Sequence, residues 1–256
     1  MITAQRHSIQ TVSWVHRWTP CLFSFRLTRD PGFGFKPGQF ARLGLTVPHH
    51  DKPVWRAYSI VSAPDDPFLE FYSVEMASGE FSAPLGQLSV GSEVLVEQVN
   101  YGFLTTDRFA SGSDLWMLAT GTGLAPFVAI LRDSQVWQRF ETLVLVHGVR
   151  NSNDLAYRDA LQAWHVANPY PSARFVYLPV TSRETVPGLP QGRIPGLLQS
   201  GGLEALADCQ LDPVHSRLML CGNPGMVTSA RAWLVSRGYT TSRRDAPGQL
   251  AVENYW

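Results

Sequence analysis

The chain has 256 residues, 45% of them hydrophobic and 16% charged, with a formal net charge of zero. That length and composition suit one large or two medium globular domains and exclude an intrinsically disordered chain. No basic excess marks a nucleic-acid binder, although zero net charge leaves room for a local basic patch facing an acidic protein. From the start of the chain to about Gly102, short β-branched and aromatic runs alternate with Pro- and Gly-containing turns such as Asp30-Pro31-Gly32 and Lys36-Pro37-Gly38. The runs are Ser8 to Trp18, Cys21 to Thr28, Gln39 to Val47, Val54 to Val61, Leu69 to Glu75 and Glu93 to Val99. Such spacing predicts a small antiparallel β-barrel, with Glu80 to Leu88 as its one short helix.

The pattern changes near Asp107, and the domain boundary is expected between Tyr101 and Asp107, giving domains over 1–104 and 105–256. Strands at Leu115 to Ala119, Leu143 to Val149, Arg174 to Val180 and Arg217 to Cys221 alternate with helices near Ala125 to Arg139, Leu155 to Val166 and Met226 to Arg237. Alternation of this kind predicts an α/β domain with a parallel sheet covered by helices on both faces. No apolar run approaches the ~20 residues of a membrane span and no signal peptide is recognisable, so a cytoplasmic protein without a membrane partner is expected.

Cys21, Cys209 and Cys221 share no C-x-x-C spacing, which argues against a disulfide framework, a zinc site or an iron–sulfur cluster. Within Arg56-Ala57-Tyr58-Ser59, alternation puts Arg56 and Tyr58 on one strand face and Ala57 and Ser59 on the other. This is either an ordinary barrel strand or one that faces a ligand. Phe71-Tyr72-Ser73-Val74 is a second aromatic-bearing strand, and Ser78-Gly79-Glu80-Phe81-Ser82 opens a possible helix whose free N–H groups suit a pyrophosphate. Gly121-Thr122-Gly123-Leu124-Ala125-Pro126 and Cys221-Gly222-Asn223-Pro224-Gly225-Met226 each follow a parallel strand, where open α/β sheets bind ligands. Each is a close-approach loop or simply a tight turn, and Cys221 alone reads as a small buried hydrophobe.

Arg150, Arg183 and Arg193 fall at or beyond the ends of the second and third parallel strands, with Ser182 beside them. An isolated surface Arg is usually only solvated, but three at one rim could hold a 2′-phosphate. No acid at the end of the second strand is placed to bind free ribose hydroxyls, which favours NADP over NAD. The chain ends Glu253-Asn254-Tyr255-Trp256. Its aromatic pair either plugs a local groove or stacks on a flat ligand.

The Arg-Ala-Tyr-Ser, Gly-Thr-Gly-x-Ala-Pro and Cys-Gly-Asn-Pro-x-Met motifs and the Tyr-Trp ending occur in this order along essentially the whole chain. Together they resemble bacterial ferredoxin/flavodoxin–NADP+ reductases. The first three motifs are shared with related flavin reductases and oxygenase reductases, and the Tyr-Trp ending is similar to one bacterial subgroup. The resemblance implies FAD and NADP(H) as cofactors, hydride transfer at flavin N5, and single electrons passed to a separate ferredoxin or flavodoxin by a monomer. It implies that Arg56, Ala57, Tyr58, Ser59, Tyr72, Ser73, Val74, Glu75, Glu80, Phe81, Ser82, Thr122, Tyr255 and Trp256 surround FAD. Arg150, Ser182, Arg183, Arg193, Asn223 and Met226 would take NADP, and Ser59, Cys221, Glu253 and Tyr255 would form the catalytic group. Tyr255 would cover the flavin face where nicotinamide binds and swing aside to admit it. An acidic carrier calls for a basic patch, for which Arg42, His49, His50 and Lys52 are candidates, with a solvated loop the ordinary reading of the His pair. Two other readings are a flavin reductase or dehydrogenase with a small acceptor, and a non-enzymatic redox-responsive binding protein.

Overall fold

The structure, a computed structural model, describes residues 7–47 and 50–254. Its first part folds into strands β1 (His7–Arg17), β2 (Leu22–Thr28), β3 (Phe40–Leu45), β4 (Val54–Ser59), β5 (Phe68–Val74) and β6 (Glu93–Tyr101). They form one antiparallel sheet in the order β4-β3-β6-β1-β2-β5. Phe23, Phe25, Leu27, Leu43, Leu69, Phe71, Val94 and Val96 fill its interior. The curled sheet brings its edge strands together at a single bridge, Ile60 to Phe71, so the expected barrel is a partly open one.

The period of two along a strand gives β2 and β5 a second buried face. Leu22, Ser24 and Tyr72 are buried there, Glu70 is only 1% exposed, and Arg26 lies half-buried among them. That face is covered by the second part of the chain. The short helix α1 (Ser82–Gly86) is narrower than the expected Glu80 to Leu88 and seats Leu85 in the barrel core.

The second part contains strands β7 (Asp114–Thr120), β8 (Thr142–Val149), β9 (Arg174–Thr181), β10 (Ser216–Gly222) and β11 (Leu250–Asn254), all parallel, in the order β11-β10-β7-β8-β9. Helices α2 (Ala125–Arg132), α3 (Ser134–Arg139) and α4 (Arg158–Val166) contribute to the core on one face. Helices α5 (Ile194–Gln199), α6 (Gly202–Ala207) and α7 (Pro224–Ser236) contribute to the core on the other. Leu22, Val61, Tyr72 and Leu104 join the first of these cores, so the barrel docks on that face.

Several boundaries differ from the sequence expectation for local reasons. The helix expected to run from Ala125 to Arg139 breaks at Asp133, whose backbone is extended and whose carboxylate accepts the Gln135 N–H at 3.0 Å, capping α3. The break frees the Leu131 carbonyl, which the buried Trp137 indole N–H takes at 2.8 Å. α4 begins three residues later than Leu155 because Tyr157 is left-handed, at φ 59°. α5, α6 and β11 carried too few residues to show a period. Among the described residues no helix is long and apolar enough to cross a membrane.

Asp133→Ala removes the cap and should lower stability by about 1 kcal/mol, read as a shift of the urea midpoint at constant slope. Asp133→Asn, which keeps the acceptor, should recover most of it.

Candidate active site

The parallel sheet grows outward from β7 in two directions, to β8 and β9 on one side and to β10 and β11 on the other. Such a switch point leaves a crevice beyond the carboxyl ends of the two central strands. The Gly121–Leu124 turn after β7 and the Gly222–Pro224 turn after β10 meet there. Their contact is backbone on backbone: a Cβ on Gly123 would sit 2.4 Å from the Cys221 carbonyl oxygen, and one on Gly222, at φ +127°, would sit 2.6 Å from the Thr120 carbonyl oxygen. Only glycine permits this approach. The Asn223 N–H donates to Thr120 Oγ1 at 2.8 Å and fixes the second turn to the first strand.

The two turns place Thr122 and Cys221 together, both buried. β11 then adds Glu253 beside Cys221 in the sheet register. From the barrel, Ser59 at the end of β4 reaches the same point and hydrogen-bonds the Glu253 side chain. Gly102, at the domain junction, completes the contact, since a Cβ there would lie 3.3 Å from Glu253 Oε2. Ser59, Thr122, Cys221 and Glu253 therefore converge from four separate stretches of chain. Burial pushes the Glu253 carboxyl up to about 7, against a smaller lowering by the Ser59 hydrogen bond. This acid is poised to hold or release a proton at neutral pH.

On the barrel side, the Tyr58 ring packs at a tilt against Phe81 with ring centroids 5.7 Å apart and its hydroxyl hydrogen-bonds Ser73. Burial raises the Tyr58 phenol, against the Ser73 bond and the nearby Arg56 charge. Arg56 is exposed, with its guanidinium 3.1 Å from Glu80, which also meets His50 at 2.6 Å. Glu80 thus faces Arg56 as an acid, and the Ser82 hydroxyl accepts from the Met76 N–H at 3.3 Å. Ala57 is exposed in register with Arg42, and Val74 is half-buried against the core between the domains.

Other expected residues sit apart. Glu75 pairs with Arg17 at 3.2 Å and with Gln87 at 2.9 Å. Tyr72 is buried at the seam against Tyr157, ring centroids 5.6 Å apart, with a hydroxyl that meets no partner among the described residues. Asn223 caps α7 through Gly225 and Met226 N–H groups, and Met226 lies in the core of that side. Tyr255, Trp256 and His49 lie outside the described residues.

At the outer rim, Arg183 N–H bonds the Arg150 carbonyl at 3.0 Å, joining the ends of β8 and β9. The Ser182 hydroxyl donates to the Val149 carbonyl at 3.1 Å. The 182–192 loop returns so that Gly192 N–H meets the Thr181 carbonyl at 2.9 Å, bringing Arg193 back to the same strand end. All three arginines are exposed, and among the described residues none of them is in an ion pair. Free guanidinia at one rim suit a phosphate, and the exposed Arg56 beside the half-buried Tyr58 ring suits a phosphate joined to a flat ring system. The residues present therefore fit a flavin dinucleotide and a phosphorylated nicotinamide dinucleotide.

His147, a site-supporting residue that no motif marked, is buried in β8 beneath the first turn, with Nε2 3.3 Å from the Gly121 carbonyl oxygen. A carbonyl only accepts, so Nε2 carries the hydrogen. Nδ1 is buried and meets no partner among the described residues, and burial lowers the imidazole to about 4, against the Gly121 bond.

Burial at these two residues acts with opposite sign on stability. Between about 4.5 and 7 the folded chain holds a proton on Glu253 that the unfolded chain has lost; this contribution therefore falls as pH rises through that window. Between about 6.5 and 4 the unfolded chain binds a proton at His147 that the folded chain refuses; this contribution falls as pH drops. Glu253→Gln should flatten the first limb and His147→Gln the second, each by on the order of 2 kcal/mol across its window, measured by urea unfolding at pH 4 to 8.

Residues 117–232 match the family model described as the oxidoreductase NAD-binding domain. Ferredoxin–NADP reductase A of Sorangium cellulosum is 40% identical over 249 residues, covering 95% of this chain and 88% of that protein. The flavodoxin/ferredoxin–NADP reductase of Escherichia coli K12 is 39% identical over 246 residues, covering 96% and 97%. A crystal structure of a ferredoxin NADP+ reductase from Neisseria gonorrhoeae, with bound FAD and NADP, superposes with a TM-score of 0.92 at 36% identity, covering 98% of this chain and all of that one. With the four converging residues on one two-domain frame and relatives of this identity along nearly its full length, the chain belongs to the ferredoxin/flavodoxin–NADP reductase family.

Proposed function

We propose that this protein exchanges hydride between NADP(H) and FAD and passes single electrons to a separate ferredoxin or flavodoxin. The observation that carries the reading is the convergence of Ser59, Thr122, Cys221 and Glu253 at the seam between the barrel and the parallel sheet. FAD would lie along the barrel domain, 1–104, and NADP(H) along the α/β domain, 105–256. Bound FAD and NADP(H) supply the redox chemistry, a two-electron exchange between them and one-electron release from the flavin. Arg56 and Tyr58 would hold the flavin nucleotide by its phosphates and ring. Arg150, Arg183 and Arg193 would hold the 2′-phosphate. The two glycine-dependent turns would let backbone approach the nicotinamide closely, with Thr122 and Cys221 shaping its slot and excluding water. Glu253 holds a proton near neutrality and Ser59 Oγ relays it towards the reacting ring.

The carrier would dock at the seam's open rim. Arg42 and His50 face Glu97 and Glu80, which offsets much of the expected basic patch. A second cationic edge supports this reading: the exposed Phe103, next to Gly102, carries Arg108 at 4.5 Å and Arg244 at 5.6 Å from its ring centroid. We place the protein in the cytoplasm and read it as a monomer, because one chain supplies every residue of the site.

Anaerobic mixing of the purified protein with NADPH should bleach a flavin band near ~450 nm, and NADH should act far more slowly. Arg183→Ala and Arg193→Ala should each raise the NADPH KM about tenfold or more while leaving the NADH KM unchanged. Equal losses with both nucleotides would remove the 2′-phosphate assignment, and a protein without flavin absorbance would overturn the function.

A further inference from the structure

The two domains are joined by a buried polar network that the motifs do not include. Glu70 of β5 receives Arg26 Nε at 2.9 Å and Arg132 Nη1 at 3.3 Å on Oε2. On Oε1 it receives the Tyr157 hydroxyl at 2.9 Å. Because that hydroxyl donates to Glu70, Ser24 Oγ must donate to it across 2.6 Å, and the Trp18 indole N–H donates to Ser24 at 2.9 Å. The directed chain Trp18, Ser24, Tyr157, Glu70 crosses from the barrel into the α/β domain and back. Arg132 Nη1 also donates to the Val61 carbonyl at 3.0 Å, and Val61 N–H donates to the Glu70 carbonyl at 2.8 Å.

The placement of these partners matters more than their number. Arg132 is the last residue of α2, and the Thr122 turn leads into the same helix. A helix of eight residues is a rigid rod about 12 Å long. Val61 lies two residues beyond Ser59 on the continuation of β4. Tyr157 ends the loop that starts at Arg150, and its left-handed backbone orients the ring into the seam. Each connection therefore has one end in the network and the other at a residue of the candidate site.

We propose that Glu70, Arg132 and Tyr157 are positioning residues, forming a latch that sets the separation between the Ser59 strand and the Thr122 turn. The inference rests on the FAD and NADP(H) reading above. Hydride transfer is steep in donor–acceptor distance and angle, so releasing the latch slows transfer without weakening nucleotide binding at the arginine rim.

The test uses the flavin-loaded enzyme with Tyr157→Phe, which keeps the ring packed on Trp18 and Tyr72 and removes only the hydroxyl, and with Glu70→Gln. Leu203→Ala, in a core on the far face of the sheet, serves as a variant destabilised away from the seam. In both seam variants, amide exchange at Val61 should rise about tenfold or more. The limiting hydride-transfer rate at saturating NADPH should fall about tenfold, the NADPH Kd should stay within about twofold, and the long-wavelength charge-transfer absorbance should weaken. Leu203→Ala should change none of these at matched loss of Tm. Unchanged Val61 exchange in both seam variants, or a Leu203→Ala enzyme equally slow, overturns the latch. A parent enzyme that NADPH does not reduce would instead overturn the redox reading, while Val61 exchange would still decide the latch.

Discussion

A carboxylate taken out of water must be compensated by partners held in place, and Glu70, 1% exposed, draws those partners from both domains. Removing one partner from such a buried pair commonly costs about 3–5 kcal/mol, because the remaining charge stays buried and uncompensated. The barrel and the parallel sheet therefore share one buried charge as well as an apolar face. Tyr157 departs from the usual backbone region to contribute, at φ 59°, and its hydroxyl has both a donor and an acceptor across the seam. Strain of this kind persists only where surrounding contacts over-determine it.

With the domains fixed in this way, the crevice at the switch point opens onto the end of β4 rather than onto solvent alone. The same burial has opposite effects on the groups around it. Glu253, an acid, is pushed up to about 7, and His147, a base, is pushed down to about 4. Both are shifted towards the neutral form, as desolvation requires. Their settings differ: Glu253 sits against Ser59 and Cys221 at the candidate site, while His147 supports the Gly121 carbonyl from beneath.

Much of the candidate site was legible along the chain because its motifs are local. A glycine turn after a buried strand depends on neighbours a few residues away, and the turns at Gly121 and Gly222 lie where the strand–helix alternation puts them. The arginines at 150 and 183 were legible for the same reason, since each follows a strand end, whereas Arg193 returns to that end only through the loop contact of Gly192 with Thr181. Other assignments needed contacts that spacing cannot reveal. Tyr72 lies on the face of β5 that meets Tyr157, and Glu75 is held by Arg17 and Gln87.

The amino-acid sequence by itself determined the two-domain plan, the strand and helix alternation and the positions of the glycine turns. These follow from hydrophobic period and backbone freedom, which act over short stretches of chain. Only the tertiary structure decided which face of β5 meets the second domain, that α2 would stop at Asp133, that β11 would add Glu253 beside Cys221, and that Glu70, Arg132 and Tyr157 would meet. Those outcomes depend on long-range pairing and on the cost of burying charge, and both are settled only when distant segments are packed against each other.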